Sequence, residues 1–525
     1  MTTNAVESEK LKKAIEKYEL IQGEKLVRSD ETVKIISILE KFLKKKGLMC
    51  YGGLALNNIL PKNARFYEEH EMPDYDVYSS RPIKDLVEIA DMYAENGYTN
   101  CSASSNPIHE GSYKLFVNFT GILDITYIPP VLANKLYEDR IIIDGISYTP
   151  VNFLRRSVYN ELSNPEGDVS RFDKVYSRLK IVDKYYPVPE VETVQSAVYN
   201  LPSSPVSTSV YNFLINNITK YGGVFFGGYA MQLYSKYFKK DISPLLQKHK
   251  PLIYAFATNP KELIDLIEST GDHDGVKVSY IKHPAVSDVI NVHYEIILDG
   301  NSVGVIFEPI GCHSFNVIRR NNRYVKIATI YTILHMYYSF IYIDAPYYNP
   351  SLLEYFSICL YNIKNSNKSI GILQLFPTTC YGHQHTKEDI LSKRAELYTE
   401  LKEHPNDAKM NKYFFKYRPS AKEEDSDEAP GGKYMSLENL TSSISSSNPY
   451  TKKDSSIIPY DTSKGFLSGL FKSNPFRTSK RKFRKNTFRR SRPKYNFKKY
   501  SSNGDSHRTR KYNDRGIFSV YNKRG

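Results

Sequence analysis

In VKIISILEKFLKK the apolar residues recur at helical spacing, with Lys and Glu on the opposite side, and residues 8–46 as a whole read as helical. GLMCY is a short apolar run of the kind a buried strand needs. It is closed by Gly52-Gly53, and LALNNIL after it predicts a helix. MPDYDVYSS alternates as a strand does, and IKDLVEIADMYAENG predicts a helix stopped by Gly97. SYKLFVNFTGILDITYIPP predicts two strands meeting at a turn near Thr120-Gly121. This order of elements predicts a sheet of mixed direction flanked by helices. VNFLRRSVYNEL and SRFDKVYSRLKIVDKYY predict basic helices after it.

PVPEVETVQSAVYNLPSSPVS is rich in Pro and Ser and predicts a linker. Beyond it the pattern restarts. GGVFFGGYAMQLYSKYF follows GLMCYGGLALNNIL, with Gly227-Gly228 for the first diglycine and Ala230 for Ala55. LIYAFATNPKELIDLIES echoes DYDVYSSRPIKDLVEIAD, and VIFEPIG lies on DITYIPP. The result is an ordered internal repeat offset by about 175 positions. Residues 326–415 read mostly as helices, including KEDILSKRAELYTELKEH. From about residue 418 the chain is first acidic, then Ser-rich, then basic, and this stretch predicts disorder.

Composition changes this picture in two ways. A chain of 525 residues with 41% hydrophobic content has material for more than one core. Its net charge of +15 is concentrated at one end. Residues 471–525 hold 19 Lys and Arg against 2 Asp and Glu, a net of +17, which leaves −2 for residues 1–470. Phe483, Phe488, Tyr495, Phe497 and Tyr500 are interleaved with those cations. Cations neutralise phosphates and aromatic rings stack on unpaired bases, so the tail reads as a flexible RNA tether, with a localisation or packaging signal as the rival. The five scattered cysteines (Cys50, Cys101, Cys312, Cys359 and Cys380) form no disulfide framework and predict a reducing compartment. The first twenty residues have no apolar core of a signal peptide. The uncharged run Ile327–Ile343 is better read as a buried helix than as a membrane span, so no membrane association is expected.

The chemistry is carried by Gly52-Gly53, then Asp74-Tyr75-Asp76, then Asp124. Residues i and i+2 of a strand share a face, which sets Asp74 and Asp76 side by side. Asp124 lies in the apolar run ILDIT, where an unpaired charge is costly. A divalent cation would balance it. Three clustered carboxylates suit a two-metal site for in-line attack at phosphorus, and a diglycine opening a helix lets backbone N–H groups approach a phosphate.

This pattern resembles the nucleotidyltransferase superfamily. YGGLALNNIL, PDYDVYS and ILDITYIP resemble the poly(A) polymerase catalytic subunit of large cytoplasmic DNA viruses, in its mimivirus-like giant-virus branch. The resemblance covers roughly residues 30–415 and departs from the broader superfamily at Leu54, where many members carry Ser, and in the long gap from Gly53 to Asp74. It implies polyadenylation of mRNA 3′ ends from ATP with release of pyrophosphate. It also implies catalytic and metal-binding roles for Asp74, Asp76 and Asp124, nucleotide binding at Gly52 and Gly53, Mg²⁺ or Mn²⁺ as cofactor, and a homodimer. A viral protein of the host cytoplasm, or one packaged in the virion, is the matching location. Transfer of another base such as uridylate, and a non-catalytic RNA-binding scaffold, are the competing readings.

The expected fold class is α+β with two tandem nucleotidyltransferase-like mixed-sheet domains. Residues 1–187 hold an N-terminal helix and the catalytic domain, and residues 188–330 a degenerate copy. Residues 331–417 are helical and residues 418–525 are a disordered tail, basic and aromatic at its end. The second copy is called degenerate because LIYAFATNP and SVGVIF carry no acids where Asp74, Asp76 and Asp124 would fall; Glu308 is a lone carboxylate. Arg155, Arg156, Arg171, Lys174, Arg178 and Lys180 are candidates for holding phosphates, Lys174 and Arg178 ahead of the others. Cys380, His383 and His385 form a short C-x-x-H-x-H run without a second cluster, which argues against zinc. His335 reads as a satisfied core histidine.

Overall fold

The structure, a computed structural model, describes residues 3–68, 70–187, 204–234, 250–320, 322–343, 353, 357, 360, 361, 375–404 and 407–419, with residues 3–6 and 273 by backbone alone. All of these belong to one compact unit, residues 1–448. Most of the predicted linker, Cys359 and the predicted disordered tail from residue 420 on lie outside the described residues.

The predicted N-terminal helical region is two helices, α1 (Thr3–Val27) and α2 (Asp30–Lys46). Ser29 separates them because its side chain accepts the Thr32 N–H as an N-cap, and Gly47 ends α2 in the left-handed conformation. Ile35, Ile38, Leu39, Phe42 and Leu43 form the buried stripe of α2.

Seven strands follow: β1 (Met49–Tyr51), β2 (Tyr75–Ser79), β3 (Cys101–Ser105), β4 (Ser112–Val117), β5 (Thr120–Tyr127), β6 (Ile141–Ile143) and β7 (Ile146–Tyr148). Between them lie α3 (Gly52–Ile59), α4 (Pro82–Glu95) and α5 (Pro130–Glu138), and after them α6 (Val151–Leu162) and α7 (Phe172–Tyr185). The β4–β5 turn falls two residues earlier than predicted, at Asn118 and Phe119, both with positive φ (48° and 65°). A two-residue turn with both φ values positive matches the twist of the flanking strands. Gly121 sits instead beside the register shift at Leu115/Phe116, where a small residue admits a bulge.

The second half contains α8 (Thr208–Tyr221), β8 (Val224–Phe225), α9 (Gly228–Tyr234), β9 (Ile253–Phe256), α10 (Pro260–Asp274), β10 (Val278–His283), β11 (His293–Leu298), β12 (Asn301–Phe307), β13 (His313–Arg320), β14 (Arg323–Ala328) and α11 (Ile330–Phe340). Next come β15 (Cys380–Tyr381), α12 (Lys387–Leu401), α13 (Ala408–Phe414) and β16 (Lys416–Tyr417).

The two eight-stranded sheets run β16-β3-β4-β5-β2-β1-β7-β6 and β10-β11-β12-β9-β8-β14-β13-β15. Without the added edge strands β16 and β15, the orders superimpose strand for strand. The pairing senses agree as well: β2/β5 and β9/β12 are parallel, β1/β2 and β8/β9 antiparallel, β1/β7 and β8/β14 parallel. The internal repeat read from the sequence is therefore a repeat of topology.

The C-terminal part is mostly helical among the described residues, with two short strands added. The fully buried α11 packs on α6, while β15 and β16 extend the edges of the two sheets. Cys312 and Cys380 form a disulfide with Cα atoms 5.2 Å apart, contrary to the expectation of no disulfide framework. They are 68 positions apart in sequence, and only the pairing of β15 on β13 brings them together. No helix among the described residues is long and apolar enough to cross a membrane.

Candidate active site

Strands β2 and β5 lie parallel with Asp76 opposite Asp124, and Asp74 immediately precedes β2. On the other side of β2, Tyr51 at the end of β1 pairs with Asp76. The chain therefore leaves β1 beside the Asp76 carboxylate, and the diglycine is the first thing it meets. Gly52 has φ +72°, and a Cβ there would lie 2.5 Å from Asp76 Oδ2. A Cβ on Gly53 would lie 2.3 Å from the Tyr67 hydroxyl and 3.0 Å from Arg178 Nη1. Both glycines are thus required by close neighbours that themselves belong to the site.

The carboxylates strain against their setting. Burial, then Asp74 and Asp124, push Asp76 up to about 7, with Lys114 and Arg171 opposing. Burial also raises Asp124, against the pull of Lys114. Lys114 stands opposite Asp124 on β4, with Nζ 3.0 Å from Oδ1. The sequence reading missed Lys114, although a cation in SYKLFV, one strand from an apolar-flanked acid, was its visible trace.

Such a set suits a divalent metal: Asp76 and Asp124 opposite each other on parallel strands, Asp76 half-buried with its pKa raised to about 7, and Lys114 as the counter-charge in contact with Asp124. Among the described residues, the His/Cys/Asp/Glu groups whose ligand atoms all lie within 4.8 Å of one another are Glu166–Cys312–Cys380 and His383–His385–Asp389; the three aspartates are not one of them. Carboxylates that share two ions about 3.5–4 Å apart, with substrate phosphates completing the shells, have no need of that mutual closeness. Asp124 is ion-paired with Lys114.

Cations gather on the diglycine side. Arg178 on α7 lies over the rings of Phe66 (4.2 Å) and Tyr67 (5.0 Å) at Gly53. Burial, then Arg178 and Arg171, lower the pKa of Lys174. Arg171 is also ion-paired with Glu161 at 2.7 Å.

Other candidates are corrected. Arg155 is buried and held by Asp183 (3.1 Å), Asn152 and the Tyr186 carbonyl, which makes it a structural cation. Arg156 is buried against Phe153 and donates to the Asp288 carbonyl of the second half. Lys180 lies over Tyr176. His335 Nδ1–H donates to the Arg156 carbonyl, but its buried Nε2 has no partner among the described residues, so it is only half satisfied. Burial, Arg156 and His313 hold its pKa down, so the ring is neutral. His383, His385 and Asp389 are exposed and Cys380 faces Cys312, so the C-x-x-H-x-H run is not one ligand set.

In the second sheet the strand register puts Leu252, Tyr254 and Val305 at the positions of Asp74, Asp76 and Asp124, and Glu295 at that of Lys114. The space is filled. A Cβ on Gly227 would meet Tyr254 at 2.6 Å, and one on Gly228 would meet Pro251 at 2.3 Å. Phe226, Tyr254, Phe307 and Phe340 pack ring to ring where the first copy keeps its carboxylates. Glu308 follows β12 at the position of Tyr127 and has no such partners in a carboxylate set.

The fold is a tandem pair of nucleotidyltransferase-type sheets, the first with its acidic site and the second without. Residues 37–168 match the family described as poly(A) polymerase catalytic subunit. A candidate poly(A) polymerase catalytic subunit of African swine fever virus (isolate Tick/Malawi/Lil 20-1/1983) is 28% identical over 202 residues, covering 37% of this chain and 42% of the relative. The corresponding protein of Acanthamoeba polyphaga mimivirus is 30% identical over 205 residues, 36% of this chain and 34% of the relative. The matched region thus spans less than half the length of either relative. The crystal structure of the Megavirus polyadenylate synthase shares the fold with a TM-score of 0.63 at 20% identity, covering 80% of this chain and 86% of that one.

Proposed function

We propose that the chain is a poly(A) polymerase that transfers AMP from ATP to the 3′-OH of an mRNA without a template, releasing pyrophosphate. The observation that carries this reading is the register that sets Asp76 beside both Asp124 and the β1–diglycine turn. In it Asp74, Asp76 and Asp124 are the catalytic acids and hold Mg²⁺ or Mn²⁺. When bound, such ions lower the pKa of an attacking hydroxyl and neutralise charge on a departing pyrophosphate. The chain's own part is positioning. Gly52, Gly53 and the first N–H groups of α3 leave room for phosphate oxygens, and Arg178 and Lys174 balance their charge.

In this reading residues 1–187 are the catalytic domain, 188–330 a degenerate copy that braces it or holds RNA, 331–417 a connecting part, and 418–525 an RNA tether. The family resemblance adds a homodimer, and the viral relatives add action in host cytoplasm or carriage in the virion. The test is extension of an end-labelled RNA with each NTP singly, with Mg²⁺ or Mn²⁺, comparing wild type with Asp74→Ala/Asp76→Ala. Long products from ATP alone, lost in the variant, are expected. Long products from UTP would keep the mechanism and overturn the substrate. RNA binding without extension would leave a scaffold.

A further inference from the structure

The segment from β15 to β16 is a strap. Its first end pairs with β13 (His313↔Tyr381, Ser314↔Cys380) at the outer edge of the second sheet. Its last end pairs with β3 (Lys416↔Ser104, Tyr417↔Ala103) at the outer edge of the catalytic sheet. The catalytic end is well fixed: Arg394 on α12 donates to Ser105 Oγ (2.9 Å) and the Asn106 carbonyl (3.3 Å). The other end pairs through a two-residue strand, with the Phe315 N–H donating to the Thr379 carbonyl (3.3 Å) and the Thr258 N–H to the Tyr381 hydroxyl (3.2 Å).

The covalent tie at that end is Cys380, bonded to Cys312. A disulfide is kept only under oxidising conditions. The surroundings hold a second way of making the tie. Glu166, on the loop after α6, brings a carboxylate oxygen to within 4.8 Å of both sulfurs, so three separate chain segments converge on one point. Beside it, Asn164 donates to Gln384 Oε1 (2.6 Å), while its own buried Oδ1 has no partner among the described residues. A Cβ on Gly382 would lie 2.1 Å from the Gly311 carbonyl, so the two backbones meet with no side chain between them.

We propose that Cys312, Cys380 and Glu166 form a zinc site when the disulfide is reduced, so that the strap is clamped to the second sheet in either redox state. Two thiolates and a carboxylate are a ligand set that zinc accepts, with water in the fourth position. The chemistry balances with a dithiol as reductant. Thiol–disulfide exchange passes two electrons and two protons to the sulfurs and leaves the dithiol as its own disulfide. Zn²⁺ then displaces the two thiol protons. The proposal does not depend on the polymerase reading.

The test uses the full chain with no RNA or nucleotide. Protein reduced with a phosphine is equilibrated with micromolar zinc, freed of excess, and its metal measured by mass spectrometry; a second sample is then oxidised with diamide. One zinc per chain in the reduced protein, released on oxidation as two thiols disappear, is the expected result. Cys312→Ser should hold none. Glu166→Gln, an exposed change that leaves both thiols in place, should bind zinc at least about tenfold more weakly. Absence of zinc from the reduced wild type, with both thiols free to alkylate, would overturn the proposal. So would zinc retained by Cys312→Ser/Cys380→Ser, which would place it on His383, His385 and Asp389, and so would unchanged affinity in Glu166→Gln.

Discussion

The Asp76 carboxylate stands where a side chain on Gly52 would begin: Oδ2 is 2.5 Å from the position a Cβ would take. The diglycine turn and the half-buried acid are therefore one structural unit. Gly52→Ala should push Asp76 out of line and also strain a backbone at φ +72°. We expect nucleotide addition to fall at least about a hundredfold, the order of effect that a small displacement of a catalytic group causes. The matching Ala change at Gly97, which has φ +87° and no atom within 4 Å of a Cβ, should cost stability alone. Single-turnover extension beside thermal melts of both variants checks this.

Asp76, raised to about 7, makes a pH prediction with a definite sign. Its folded pKa lies above the unfolded value near 3.9, so the folded state binds the proton more tightly. That contribution to stability is full below the unfolded pKa and is lost as pH rises through about 7. Metal-free protein should thus lose stability between about pH 4 and pH 7 through this group, and Asp76→Asn should flatten that part of the profile. Metal affinity should run the other way and weaken as pH drops, because protons compete with the cation for the carboxylate. Melting curves against pH, with and without Mg²⁺, read both slopes. An Asp76→Asn profile identical to wild type would refute the assignment.

Arg155 and Arg178 look alike in sequence and should behave differently. Arg155→Met breaks a buried pair with Asp183 and should cost about 3–5 kcal/mol of stability. Arg178→Met removes a partly stacked cation at the diglycine and should leave the melting temperature nearly unchanged while raising KM for the nucleotide about tenfold or more. Urea denaturation and steady-state kinetics on the two variants separate a structural cation from a binding one.

That contrast marks how much could be read from the chain. The diglycine, the three aspartates and the repeat were legible because each is a local signal: a turn residue, a strand alternation, an acid among apolar residues. Laying VIFEPIG on DITYIPP puts Val305 at the place of Asp124, and the sheet adds that Val305 stands opposite Tyr254. Lys114 was not singled out, since its meaning comes from standing across from Asp124, a cross-strand relation. The β4–β5 turn was misplaced because Phe119 holds a positive φ that only Gly or Asn advertises. The Cys312–Cys380 bond and the buried place of Arg155 depend on contacts between distant segments, which no spacing reports.

The degenerate copy should not be convertible by restoring acids. Tyr254 packs against Phe226, Phe307 and Phe340 in the space that Asp76 occupies in the first copy. Tyr254→Asp would bury a charge with no cation among those rings and remove a large side chain from the core. A loss of about 3–5 kcal/mol from the side chain alone is expected, with no gain in nucleotide addition. Activity in Tyr254→Asp on an Asp74→Ala/Asp76→Ala background would show instead that the second site is latent.

The tail offers the last test, and its charge makes it quantitative. Residues 471–525 carry a net +17 while residues 1–470 carry −2, so most long-range attraction for RNA resides there. Each phosphate neutralised on a single strand adds about 0.7 to the slope of log K against log salt. Truncation at about residue 460 should therefore flatten the salt dependence of RNA binding and weaken affinity most at low salt. It should not touch the Asp74, Asp76 and Asp124 site, which is assembled from β2, β5 and the β1–α3 turn. Single-nucleotide addition at saturating RNA should then survive, while long products shorten as the enzyme lets go between additions. Binding measured across a salt series, beside single-addition rates for both lengths of chain, distinguishes a tether from a catalytic part. If the truncated chain keeps its salt slope, the tail is not the RNA contact; if it loses single addition altogether, the tail helps build the site.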